Sequence, residues 1–234
     1  MTSNTMNPKS RSAAASRVDV KKLATMAMLV ALAYVVTVVT RFPLMAAASF
    51  LKYDPKDVVL LIGAYLFGPM AGAAMSVATC FIEMITVSEA GIYGFIMNVV
   101  ASWAFILPAA FLYHRRRTMG GAIAGLALGV TAMAATMVLW NYIITPIYQG
   151  WPREQVAGML TTVFLPFNVI KGVLNAALTL VLYQPVSNAL RRSHLLPALP
   201  DGSLRRSYNL GAVFLGLFLL ATGGLVALVL TGTI

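Results

Sequence analysis

Residues 58–87 read VVLLIGAYLFGPMAGAAMSVATCFIEMITV, thirty positions in which Glu83 is the one residue among Asp, Glu, Lys and Arg. A helix crosses hydrocarbon with about 20 mostly apolar residues. Backbone groups in lipid must bond within their own segment, so apolar runs of this length mean helices. Phe67-Gly68-Pro69 interrupts the run. Proline removes a donor and glycine frees the backbone, which predicts a turn between two helices. The first of these, residues 58–67, is too short to cross alone. Incomplete helices are tolerated in membranes where neighbours bury them or where they line a cavity.

Working outward, further apolar runs occupy residues 23–40, 94–113, 120–146, 160–184 and 210–230. The chain is 59% hydrophobic and 10% charged, with mean hydropathy +0.82, whereas soluble domains carry about a quarter charged residues. The runs are long and rich in Leu, Ala, Val and Met, with no strand-like alternation that would suit a barrel. The fold class expected is all-α: a polytopic transmembrane bundle with a six-helix core and a seventh, C-terminal helix. Its expected divisions are a cytoplasmic tail (1–21), a six-helix membrane domain (22–190), a basic cytoplasmic linker (191–209) and the additional helix (210–234). Gly121, Gly125 and Gly129, spaced by four, predict close helix packing in the fifth span. Residues 1–17 are polar and Ser/Ala-rich, unlike a cleavable signal peptide. The single cysteine, Cys80, lies in an apolar run and reads as a buried small hydrophobe.

The formal charge of +10 is distributed as a topology signal. Twelve of the 17 Lys and Arg fall in three clusters: Lys9 to Lys22, Arg115 to Arg117, and Arg191 to Arg206. The positive-inside rule places those clusters and the N-terminus in the cytoplasm of a multi-pass protein of the cell membrane. A nucleic-acid patch is therefore not the expected use of the charge. Arg41, Lys52, Asp54, Lys56 and Asp57 fall in the first outer segment. Their density predicts a solvated loop, with a lid over an outward-facing pocket as the alternative.

Polar side chains inside spans are expensive and usually face a cavity or a partner. The candidates are Glu83, Asn98, Asn141, Asn168, Lys171 and Asn175. Asn168, Lys171 and Asn175 sit at i, i+3 and i+7, on one face of the sixth span. Two amides and an ammonium in a row suit a polar, ring-containing ligand. They also suit interhelical hydrogen bonding, or for Lys171 a pairing with Glu83. Asn141 stands between Trp140 and Tyr142, which either wall a planar ring or belong to the interfacial belt. No GxxxxGK[ST] phosphate loop, HExxH motif, paired carboxylate or Ser/His arrangement is present, and no Cys/His cluster has metal-ligand spacing. The chain reads as a non-enzyme, with neither a cofactor nor a metal.

FLKYDPKD (50–57), LFGP (66–69), IEMIT (82–86), GFIMN (94–98), and NVIKG (168–172) followed by YQPVS (183–187) together resemble the riboflavin-specific S component of energy-coupling-factor transporters, over roughly residues 22–190. The resemblance implies a six-helix membrane subunit that binds riboflavin near the outer face. The last three of the six helices would wall the pocket and the loop after the first would cover it. By motif it implies ligand contacts at Asn141, Asn168 and Lys171, with Asn98 and Glu83 as further pocket positions and Tyr53 in the covering loop. It also implies docking through Ala27 and Ala31 on a transmembrane coupling protein that works with two ATPase subunits. The seventh run departs from the six-helix plan. FMN or another vitamin as ligand, and a membrane scaffold or enzyme with no vitamin ligand, are the alternatives that the residues leave open.

Overall fold

The computed structural model describes residues 8–45, 48, 50–196 and 210–230, with side chains from residue 20 onward. The elements are α1 (Pro8–Thr40), β1 (Phe42–Pro43), β2 (Lys52–Tyr53), α2 (Lys56–Phe67), α3 (Pro69–Thr86), α4 (Gly91–Arg116), α5 (Met119–Gln149), α6 (Arg153–Met159), a π-helical turn (Leu160–Phe164), α7 (Leu165–Arg192) and α8 (Leu210–Leu230). Residues 1–7 of the expected tail, 197–209 of the expected linker and 231–234 lie outside the described residues. Helix α1 begins at Pro8, upstream of the apolar stretch that starts near Val20.

Six helices among the described residues are long and apolar enough to cross a bilayer. The 12-residue α2 is not one of them. At 1.5 Å per residue it reaches about 18 Å of a hydrocarbon core about 30 Å thick. It survives because its neighbours enclose it: Leu60, Leu61, Ala64 and Tyr65 join the main core with Leu29 of α1, Met75 of α3, and Phe105 and Ile106 of α4. The predicted turn between α2 and α3 is present. Gly68 adopts φ +108°, a conformation that favours glycine, and Pro69 opens α3, where its missing N–H costs no helix bond.

The glycine stripe on α5 works as its spacing predicts. A Cβ on Gly125 would stand 2.7 Å from the Ala109 carbonyl oxygen, and one on Gly129 2.5 Å from that of Phe105. Only glycine admits the α4 backbone so closely. The main departure from a plain bundle is the antiparallel pair β1–β2, with Phe42 opposite Tyr53 and Pro43 opposite Lys52. It folds the segment after α1 back over the end of the bundle where α4 starts and α5 ends.

Candidate functional site

Beneath that segment lies a cavity of about 120 Å³. Helix α4 contributes Met97 and Asn98, α5 contributes Met137, Asn141 and Thr145, and α7 contributes Phe167, Asn168 and Lys171. Arg41, Phe50, Leu51, Lys52 and Asp54 line it from the covering segment. The basic clusters of α4 and α7, Arg115, Arg116, Arg191 and Arg192, lie at the far ends of those helices.

Local backbone features position the α7 residues. Pro166 has no N–H to continue the helical ladder, and the chain passes through the π turn, with the Leu165 N–H donating to the Leu160 carbonyl. Asn168 follows directly, and its side-chain amide donates to the Phe164 carbonyl at 2.8 Å. Asn141 is similarly held, donating to the Met137 carbonyl at 2.7 Å and accepting from Thr145 Oγ1 at 3.1 Å. Both amides are thus fixed in orientation at the wall. Asn98, half-buried on α4, also lines the cavity.

The electrostatics centre on charged residues drawn from the covering segment, α2, α3 and α7, with hydroxyls from α1 and α4. Lys171 Nζ approaches Asp54 Oδ2 at 3.4 Å, while the other Asp54 oxygen, Oδ1, faces Lys56 Nζ at 3.5 Å. Lys56, 1% exposed, is clamped by Glu83 Oε2 at 2.6 Å. Glu83 Oε1 accepts from Thr37 Oγ1 at 3.1 Å, and Asp57 Oδ1 accepts from Ser102 Oγ at 2.5 Å. Burial alone would raise the Asp54 pKa, but the neighbouring Lys171, Lys56 and Arg41 hold it below the usual carboxylate value. Burial, with Asp54 close by, pushes the Tyr53 phenol above its ordinary range. At the rim, Lys52 pairs with Glu89 at 2.5 Å and Arg41 Nη1 donates to the Val87 carbonyl at 3.0 Å.

Several sequence expectations change here. The charged outer segment is not a solvated loop: Asp54, Lys56 and Asp57 are buried, and the last two belong to the first turn of α2. Opposite charges brought together from distant segments make that burial tolerable. Lys171 pairs with Asp54, not with Glu83. Glu83 is not among the cavity-lining residues, because Lys56 and Thr37 occupy its carboxylate. Tyr53 also stands behind the wall, donating to Asn175 Oδ1 at 3.0 Å. So the sixth-span stripe divides: Asn168 and Lys171 reach the cavity, while Asn175 anchors the cover. Thr145 is a lining residue that the motif reading did not single out, whereas Arg41 and Asp54 line the cavity from the segment whose alternative reading was a lid. For Thr145 a signal existed, since Met137, Asn141 and Thr145 repeat at four-residue spacing. Ala27 and Ala31 are exposed on the outer face of α1.

Over residues 21–183 the chain matches the family model described as "ECF transporter, substrate-specific component". The chain belongs to that family. It is a multi-pass membrane transport subunit and not an enzyme. This substrate-specific component is 35% identical to the riboflavin transporter FmnP of Bacillus subtilis (strain 168), over 66% of this chain and 85% of that protein. It is 29% identical to the riboflavin transporter RibU of Staphylococcus aureus (strain TCH60), over 74% of this chain and 93% of that one. Among solved structures it resembles the S component of a bacterial ECF transporter, with TM-score 0.64 and 28% identity, covering 74% of this chain and 99% of that chain. Helix α8 of this component lies beyond the range that the family model matches.

Proposed function

We propose that this chain is the riboflavin-binding subunit of an ECF-type vitamin importer, taking the vitamin from the outer side of the cell membrane. The observation that carries the reading is the convergence of Asn98, Asn141, Asn168 and Lys171 on one cavity under Arg41 and residues 50–54, at the end of the bundle opposite its basic clusters. Fixed amides suit the edge of a flavin ring, which alternates hydrogen-bond donors and acceptors, and Met97, Met137 and Phe167 offer apolar surface to its faces. Two similar proteins carry the name riboflavin transporter.

Orientation follows from charge: the basic ends lie in the cytoplasm with the N-terminus, so the cavity faces outward. The hollow of about 120 Å³ is smaller than the roughly 300–1,000 Å³ of ordinary ligand sites. Admission of a three-ring molecule therefore requires the covering segment to move, and closure over the ligand completes capture. A separate coupling protein and two ATPases supply the energy, with Ala27 and Ala31 on exposed α1 as contact points for the coupling protein.

The test is a titration of purified, ligand-stripped protein with riboflavin, followed by quenching of flavin fluorescence. Saturable one-to-one binding is expected. Protein that remains colourless and leaves the fluorescence unchanged overturns the reading.

A further inference from the structure

The Asp54 carboxylate occupies an unusual place for a residue on a ligand cavity. Each of its oxygens faces a different lysine, Lys171 at 3.4 Å on the cavity wall and Lys56 at 3.5 Å in the scaffold. Lys56 is itself fixed by Glu83 at 2.6 Å, so Asp54 is held from behind, and swinging away would leave Lys171 buried without its carboxylate. Of the two rim cations, Lys52 pairs with Glu89, while Arg41 donates to the neutral Val87 carbonyl and keeps its charge. What the ligand meets deeper in is a lysine whose charge an adjoining carboxylate already balances.

Resting on the riboflavin reading, we propose that Asp54 is a specificity-determining residue, which cancels the charge of Lys171 and biases the pocket toward uncharged flavin over its phosphorylated form. A phosphate monoester carries close to two negative charges at neutral pH. In a partly desolvated hollow, an ionised carboxylate nearby raises the free energy of that ligand far more than it would in water. An uncharged ring system meets no such penalty and still finds the Lys171 N–H donors. Selectivity of this kind rests on a repulsive element as much as on attractive ones. Arg41 is the opposing influence, since no carboxylate among the described residues lies within ion-pair distance of it.

The experiment compares riboflavin and FMN affinities for the full-length protein and for Asp54→Asn and Asp54→Glu. The wild type is expected to prefer riboflavin by about tenfold or more, Asp54→Asn to shrink that ratio by about tenfold, and Asp54→Glu to restore it. The ratio is the readout because loss of the cover's anchor weakens both ligands alike. A ratio unchanged in Asp54→Asn, with riboflavin still bound, overturns the proposal. FMN binding to the wild type as tightly as riboflavin also overturns it, and that measurement needs no variant to fold. Absence of riboflavin binding to the wild type removes the parent reading instead, and the proposal with it.

Discussion

Helices α7 and α8 pack against each other and are both long and apolar, yet they differ in what their neighbours demand of them. The stretch containing α7 has a most apolar window of mean hydropathy 1.6 that is 56% buried, whereas α8 reaches 2.6 and is only 17% buried. Helix α7 carries Asn168, Lys171 and Asn175, each committed to a cavity or a partner. Helix α8 offers lipid a nearly unbroken surface of Leu, Val and Phe, including Phe214, Leu217 and Leu225. Hydropathy says where a segment resides; the polar residues a segment retains against that preference say what it is for.

The largest expected effect lies on α7. Asn168→Ala combined with Lys171→Ala should weaken riboflavin binding by at least about 100-fold, since several hydrogen bonds to one ligand are lost together. Size-exclusion chromatography should still give a monodisperse protein. Misfolding of the variant would instead make these residues packing elements and erase the contrast with α8. Next comes Lys56→Met, which leaves Glu83 buried without its ammonium and takes from Asp54 one of the two that face it. A broken buried pair costs about 3–5 kcal/mol, so a thermal-shift assay should show a markedly lower melting point even without ligand. Gly129→Val should lower it less, by forcing α5 away from the Phe105 carbonyl, which already sits 2.5 Å from the ideal Cβ position. The smallest effect belongs to α8. A Cβ on Gly216 would meet Val181 at 2.8 Å and the Ala177 carbonyl oxygen at 3.0 Å. Gly216→Leu should therefore loosen α8 from α7, while riboflavin affinity stays within about threefold. A large loss of affinity there would tie α8 to the pocket.

The parts of this molecule legible in its sequence are those fixed by local chemistry. Apolar runs gave the spans, Phe67-Gly68-Pro69 the break, and three-and-four spacing the α5 packing stripe and the shared face of Asn168 and Lys171. The ion cluster was not legible. Lys56 finds Glu83 across 27 positions and Lys171 finds Asp54 across 117, and no periodicity encodes such pairings. Read one residue at a time, FLKYDPKD is a hydrophilic segment that belongs in water. Read with its partners, its charges balance inside the protein. The motifs place Tyr53 and Glu83 near the pocket, but side-chain partners one layer deeper hold both behind its wall.

The brevity of α2 carries one more consequence. Its 12 residues follow directly on the covering segment and run through a core of Leu60, Leu61, Phe105, Ile106 and Ala109 with almost no exposed surface. That core fills about 18 Å of the path with apolar side chains, a medium that ions enter only at high cost. A lone copy of this subunit should thus be electrically silent in a planar bilayer, adding no leak to the gradients that the cell maintains.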